Sequence, residues 1–356
     1  MIQLIYPEDK AEISLITDWQ KEFTERQYRG ENNDDKVYDN MPWEFFERYD
    51  CGYPATLIFK WKRTDPLEKM NFKLSLNADL SAECDIKPIA TLGKKNALTE
   101  ECGMYCIDVT NLLSGKTYYW TVDNGKDDPE IRTFTTKPNE MRFIRFDGKG
   151  GVNVRDIGGK MTKYGRRIKQ GLIYRGDFLE EVKFDVDTVT TLEKEQFKEF
   201  EFKTEIDFRW EAMGKVDRSV FGEGTKYCLF PYNPYCGHFN RGSQEMVADI
   251  LKLFADPNNY PIYVHCVSGA DRTGNFSMIL EAILGAYDED LILDYNATTI
   301  RGYTKLWGVT GDTVDMLKML KTNYNADTLG QMLQNYINDC NVSEDVLQQI
   351  RSIMLE

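Results

Sequence analysis

Histidine is scarce in this chain: of 356 residues, only His238 and His265 carry an imidazole. That leaves no basis for a His-rich metal centre, and Cys102-x-x-x-Cys106 alone is too little for a zinc site. No metal and no cofactor is expected. Positive charge is in deficit too, with 44 Lys and Arg against 58 Asp and Glu and a net charge of −14. Nucleic acid and anionic membrane both require a basic face, so neither is expected as a partner. No apolar run approaches the ~18 residues of a membrane-spanning helix. The opening Met1-Ile-Gln-Leu-Ile-Tyr-Pro-Glu8 lacks the basic start and apolar core of a secretory leader. Eight cysteines, Cys236 and Cys266 among them, are scattered without the spacing of a disulfide framework. A reducing, cytoplasmic setting is expected, or a secreted or envelope-associated one where a leader has been trimmed. One absence is local: between Gly224 and Gln244 there is no Asp or Glu.

What is present includes one stretch with chemical content, Tyr260-Pro-Ile-Tyr-Val-His-Cys-Val-Ser-Gly-Ala-Asp-Arg-Thr-Gly274. Its β-branched start reads as a buried strand ending at His265. A loop with Cys266 and Gly269 follows. From Arg272 the apolar positions Phe276, Ile279, Leu280, Ile283 and Leu284 recur at helical spacing. Strand, tight loop and helix aim backbone N–H groups and a helix N-terminus at one small volume, which attracts an anion. Cys266 lies at its floor. The helix end, the amides of Val267, Ser268, Gly269, Ala270, Asp271 and Arg272, and the Arg272 guanidinium all favour a thiolate there. Arg272 also offers a planar donor fork that matches two oxygens of a phosphoryl group. Gly269 lets the loop curl. Thr273 can donate its hydroxyl to the sulfur as it leaves, and His265 braces the loop.

At these residues the chain resembles the cysteine-dependent protein tyrosine phosphatase superfamily. His265-Cys266-x-x-Gly269-x-x-Arg272-Thr273-Gly274 is similar to its phosphate loop. The Asp271-Arg272-Thr273-Gly274 ending resembles a bacterial tyrosine/dual-specificity branch whose loop reads HCxxGKDRTG. Asn153-Val-Arg-Asp-Ile-Gly-Gly159 resembles that branch's NFRDLGG motif, and Ile168-Lys-Gln-Gly-Leu-Ile-Tyr-Arg175 its IKxGLIYR segment. Thr204-Glu-Ile-Asp-Phe-Arg209 resembles its strand ending in DLR, and Asp294-Tyr295 with Tyr303 its DYxxSxxY helix. The resemblance implies hydrolysis of a phosphorylated protein or peptide through a cysteinyl-phosphate, without a metal. In one departure, the branch's Lys before the Asp is Ala270. A basic residue there would meet a second phosphate on an inositol ring, so its loss favours phosphotyrosine-type monoesters. Inositol-phosphate or phosphoinositide hydrolysis, and phosphopeptide binding without catalysis, are the alternatives.

The leaving oxygen needs an acid. Many relatives place an Asp on a mobile loop ahead of the nucleophile, and the acid-free stretch from Gly224 to Gln244 offers none. Asp271 is therefore the first candidate, as the branch implies, Asp207 the second and His238 the third. An ion pair that only aims Arg272 is the competing role for Asp271. Asp207 and Arg209, like Arg155, Asp156 and Arg175, read equally as structural partners beneath the loop. The aromatic loop Pro231-Tyr-Asn-Pro-Tyr-Cys-Gly-His-Phe239 is placed by composition as the wall of an aryl pocket.

Two domains are expected from the length. Residues 1–137 carry an amphipathic helix pattern over 13–27, then strand patterns at 55–61, 71–76, 106–109, 117–123 and 131–136. Leu112 to Val122, followed by Arg132-Thr-Phe-Thr-Thr136, resembles the final strands of a fibronectin type III domain, with Tyr118 as its corner tyrosine and Trp61 as its core tryptophan. This domain is expected to be an all-β fibronectin type III-like sandwich with an inserted N-terminal helix, and to bind a protein partner or act as a docked spacer. Residues 138–356, after the turn at Lys137-Pro138-Asn139, alternate strand and helix patterns. That predicts an α/β phosphatase domain with a central, mostly parallel sheet flanked by helices.

Overall fold

The computed structural model describes residues 2–28, 52–63, 70–80, 104–126, 129–146, 150–180, 185–210, 217–231, 239, 242–301, 306–309 and 311–356. The chain divides into two compact units, Met1–Thr17 with Pro54–Asp147, and Asp18–Tyr53 with Gly148–Glu356.

In the first unit, β1 (Ile2–Tyr6), β3 (Leu57–Arg63) and β5 (Met104–Val109) form one sheet in the order β1-β3-β5. A second sheet has the order β2-β7-β6-β4, from β2 (Ala11–Ile13), β4 (Asn71–Ser75), β6 (Thr117–Asp123) and β7 (Arg132–Thr136). Period-two patterning selects the inward face: in β5, Tyr105, Ile107 and Val109 are buried while the residues between them are half-exposed. Both sheets contribute to one apolar cluster, where Phe59 meets Trp120 edge to face at 5.0 Å and Phe134 at 5.7 Å. The Tyr118 hydroxyl, fully buried, accepts from the Leu113 N–H at 2.8 Å.

The turn at Pro138 is not where this unit ends. In β8 (Arg142–Phe143) the buried Arg142 guanidinium donates to the carbonyls of Leu112 at 3.0 Å and Asn111 at 2.7 Å. Asn111 also exchanges two hydrogen bonds with the backbone of Arg145. These bonds tie Arg142 and Arg145 to the segment between β5 and β6. Composition, which sees only a Pro-containing turn, gives no sign of them. The helix α1 (Asp18–Tyr28) groups with the second unit, contrary to its expected place in the first. It lies against the later helix Asp288–Asn296. Its amphipathic pattern announces a buried face without saying against what. The pattern's first residue, Ile13, ends β2 instead.

In the second unit, β9 (Arg155–Asp156), β10 (Ile173–Gly176), β11 (Thr204–Asp207), β12 (Lys226–Leu229) and β13 (Ile262–His265) lie in the order β12-β11-β13-β10-β9. β12, β11, β13 and β10 are mutually parallel, and β9 is antiparallel to β10. Burial on both faces suits the near-continuous apolar run of β13. Its register pairs His265 with Gly176 on one side and Asp207 on the other, so three strand ends stop level. Helices pack around the sheet: α2 (Thr191–Phe200), α3 (Gln244–Phe254), α4 (Asp271–Ile283), α5 (Asp288–Asn296), α6 (Asp312–Asn323), α7 (Leu329–Asp339) and α8 (Glu344–Met354). α2 starts with a reciprocal Thr190–Glu193 capping box. Buried around nearly its whole circumference, α4 is the central helix, and Leu333, Tyr336, Ile350 and Met354 join its core. β9 and β10, which have no strand pattern of their own, lie within segments matched only through the motifs at 153–159 and 168–175.

Candidate active site

The level strand ends put Cys266 at the carboxyl edge of a parallel sheet, where ligands of such sheets bind. Cys266 is 3% and Arg272 6% exposed. The Phe208 N–H donates to the His265 carbonyl at 2.9 Å, and the Phe208 carbonyl accepts from Arg272 Nη1 at 3.0 Å. The end of β11 thereby anchors both the strand before Cys266 and the arginine after it.

Three successive carbonyls of the loop are held by groups outside it. Val267 O accepts from the Phe178 N–H at 3.5 Å, Ser268 O from Asn153 Nδ2 at 2.9 Å, and Gly269 O from Arg175 Nη2 at 2.6 Å. In a planar trans peptide the carbonyl of one residue and the N–H of the next point in opposite directions. Holding these carbonyls therefore turns the amides of Ser268, Gly269 and Ala270 the other way. Among the described residues no acceptor takes the hydrogens of those three amides. Such a row, ending at the N-terminus of α4, is a nest for a tetrahedral oxyanion.

Gly269 is required twice over. Its φ is +64°, and a Cβ there would lie 2.5 Å from the carbonyl carbon of Gly176. Beneath the loop, Asp294 pairs with Arg155 and Arg175, and Lys160 with Glu281. Although burial opposes it, the charges of Arg155, Arg175 and Lys160 hold Asp294 far below the ordinary carboxylate range. Burial pushes Glu281 up to about 8, against the pull of Lys160.

His265 has a partner at each ring nitrogen. Its Nε2 lies 2.9 Å from Glu205 Oε1 and its Nδ1 3.3 Å from the Cys266 carbonyl. Burial disfavours its charged form, but Asp207 and Glu205 outweigh that and raise its pKa to about 9. Asp207 is sealed. Its carboxylate accepts from the Arg209 N–H at 2.8 Å, Arg209 Nε at 2.7 Å and the Tyr227 hydroxyl at 2.8 Å. Burial raises its pKa, but the charges of His265 and Arg209 override this and lower it, so Asp207 has no proton to give at neutral pH. Asp271, at the first turn of α4, is half-exposed and accepts from the Tyr295 hydroxyl at 3.2 Å. His238, Cys236 and Tyr303 lie outside the described residues. Phe239 is not a pocket wall: it is fully buried, 5.5 Å from the ring of Tyr336 and 6.4 Å from that of Trp307. Thr273 Oγ1 is buried with no hydrogen-bond partner, so the expected bond to the sulfur is not formed here.

Of the other free thiols, burial raises that of Cys228 and pushes that of Cys340 up to about 12, which keeps both neutral. Among the described residues no cluster of three or more His, Cys, Asp or Glu is placed to hold a metal ion, and no helix is long and apolar enough to cross a membrane. Glu205, Lys160 and Glu281 escaped the sequence reading. For Glu205 a signal existed, since Glu205 and Asp207 alternate within a buried strand and so share one face.

A buried sulfur, a row of inward amides and a guanidinium thus meet at one loop, an arrangement that can hold a tetrahedral anion beside a thiol. The sequence model of the tyrosine phosphatase family matches residues 146–356, more than half of the chain, and the chain belongs to that family. A curated relative from Cupriavidus necator, named "Putative tyrosine-protein phosphatase", is 24% identical over 167 residues, which is 40% of this chain. The match spans 59% of that relative's length. Two solved structures are similar over about half of the chain. TpbA of P. aeruginosa has 17% identity and a TM-score of 0.32, covering 49% of this chain and 89% of its own. The core catalytic domain of the PP-IP phosphatase SIW14 of S. cerevisiae, in complex with citrate, has 14% identity and a TM-score of 0.28, covering 48% and 93%.

Proposed function

We propose that this chain is a cysteine-dependent phosphatase of phosphotyrosine-type monoesters, extending to dual specificity, with Cys266 as nucleophile. The observation that carries the reading is the row of amides turned inward at Ser268, Gly269 and Ala270 beside a buried thiol. The Cys266 thiolate attacks phosphorus in line. The S–P bond forms as the bond to the leaving oxygen breaks, and that oxygen takes the proton of Asp271. Water then attacks the cysteinyl-phosphate, passing a proton to Asp271, and the S–P pair returns to sulfur. Arg272 and the amides from Val267 to Arg272 hold the equatorial oxygens, where transition-state charge is spread. No step needs a metal. The HCxxGxDRTG motif of the bacterial branch supports these assignments, and Ala270 brings no charge to meet a second phosphate on an inositol ring.

The first unit fits a fibronectin type III-like module that recruits a protein partner or positions substrate. Two sheets over one core, the buried Trp61 and the hydroxyl of Tyr118 bonded back to Leu113 support that reading.

Para-nitrophenyl phosphate turnover tests the proposal. Wild type is expected to hydrolyse it, Cys266→Ser to lose turnover yet still bind inorganic phosphate, and Arg272→Lys to fall by orders of magnitude because the fork is lost. Turnover that survives in Cys266→Ser removes the mechanism. Binding without turnover in wild type marks a phosphopeptide-binding protein instead. A preference for phosphoinositides over phosphotyrosyl peptides overturns the substrate assignment.

A further inference from the structure

One buried carboxylate governs the shape of the loop from beneath. Asp294 is 1% exposed on α5, and its Oδ1 accepts from Arg155 Nε at 2.9 Å while its Oδ2 pairs with Arg175 Nη1. The other end of each guanidinium reaches toward the loop. Arg175 Nη2 holds Gly269 O directly at 2.6 Å. Arg155 Nη1 donates to Asn153 Oδ1 at 2.9 Å, and Asn153 Nδ2 holds Ser268 O, also at 2.9 Å. Two of the three carbonyls that turn the loop amides inward are thus traced to one anion.

We infer that Asp294 is a positioning residue for phosphate binding, which orients the amides of Gly269 and Ala270 through Arg175, Arg155 and Asn153 without touching substrate. The inference rests on the phosphatase reading above. Two guanidiniums and the Lys160 ammonium, 3.7 Å from Asp294 Oδ1, are crowded here where water cannot screen them. Burial and the neighbouring Arg175 charge already lower the Arg155 pKa to about 10. With the charge of Asp294 removed, Arg155 and Arg175 repel each other across the gap; Arg175 loses its carboxylate partner, and Arg155 keeps only the Asp294 main-chain carbonyl and Asn153. The carbonyls of Ser268 and Gly269 are then free to rotate, and the amides lose their aim. Gly274 shows how little slack exists: a Cβ there would lie 3.3 Å from Arg175 Nη2 and 2.8 Å from the Tyr295 ring.

The test compares Asp294→Asn, Arg175→Lys and the double variant in the full chain. Three readouts are needed: kcat and KM for para-nitrophenyl phosphate, the inhibition constant of inorganic phosphate, and the melting temperature. Expected for each single variant is a fall in kcat/KM on the order of 100-fold, the scale of a small misplacement of reacting groups. Phosphate inhibition should weaken about tenfold or more in step with it, and the double variant should be no worse than Asp294→Asn alone, since Arg175 acts within the Asp294 linkage. A purely structural Asp294 would lower the melting temperature while leaving the phosphate constant of the folded protein unchanged, and that result overturns the inference. Fully additive losses overturn it too. Should Asp294→Asn fail to fold, Arg175→Lys keeps the charge balance and decides by the same readouts. If wild type has no Cys266-dependent turnover, the phosphatase reading fails by itself. Calorimetric titration of inorganic phosphate into the same variants then still tests the Asp294 linkage.

Discussion

His265 Nε2 lies 2.9 Å from Glu205 Oε1, and through its other nitrogen the same ring reaches the carbonyl of Cys266. Glu205 in turn accepts from Ser219 Oγ at 2.6 Å and from the Val220 N–H at 2.9 Å through its second oxygen. A single imidazolium therefore couples the peptide of Cys266 to β11 and to the turn beyond it.

That coupling sets a pH window. The His265 pKa rises from 6.5 to about 9 in the folded protein, so the stability it contributes is complete below about 6.5 and is lost as pH rises through about 9. Unfolding free energy measured by urea titration is expected to fall across pH 7 to 10. The His265 share of that fall is on the order of 3 kcal/mol. Glu205→Gln should lower stability at pH 7 and give a shallower decline. A variant with the wild-type slope would show that Glu205 does not help to hold the His265 proton.

Gly269→Ala addresses the backbone. The residue adopts φ +64°, and the added Cβ meets the Gly176 peptide at 2.5 Å. Strain of about 1–3 kcal/mol is expected in the melting transition. Since the loop must shift to relieve it, kcat/KM for para-nitrophenyl phosphate should fall on the order of 100-fold. Restoration of wild-type kinetics would mean that the loop geometry tolerates the side chain.

The site was legible where it is local. Tyr260 to Gly274 holds its strand, loop, thiol and helix start in fifteen consecutive residues, and β13 and α4 bracket Cys266 as that spacing requires. What holds the loop was less legible, because its partners are remote in sequence: Asn153 and Ser268 are 115 residues apart, Arg175 and Gly269 94. Motif resemblance brought Asn153, Arg175 and Asp294 into view without showing which atoms they hold. Arg142 is the same lesson in the first unit, since a buried guanidinium bonded to two carbonyls extends the unit past a turn that looks like a boundary.

Tyr118→Phe tests the first unit. The hydroxyl is the acceptor for the buried Leu113 N–H, and the phenyl ring keeps the stack on Phe134 at 5.3 Å. Only the oxygen is lost, so the cost should be that of one unsatisfied buried donor, about 1–3 kcal/mol. Tryptophan fluorescence during urea unfolding reads it, because Trp61 and Trp120 are buried in the same core. An unchanged midpoint would show that Leu113 finds another acceptor and that the corner bond is not stabilising.

Asp271→Asn decides the proton donor. The Asp271 carboxyl is half-exposed and takes one hydrogen bond from Tyr295, whose hydroxyl is kept protonated by burial and by the adjacent carboxylate. As general acid, Asp271 matters most when the leaving group is poor. The Asn variant should lose about 10²–10⁴ in kcat on alkyl phosphates. It should lose far less on para-nitrophenyl phosphate, whose leaving oxygen needs little protonation. The acid-dependent limb of the pH–rate profile for alkyl phosphates should vanish with it. Equal losses on both substrates would identify Asp271 as a residue that aims Arg272, because a misplaced guanidinium slows every leaving group alike.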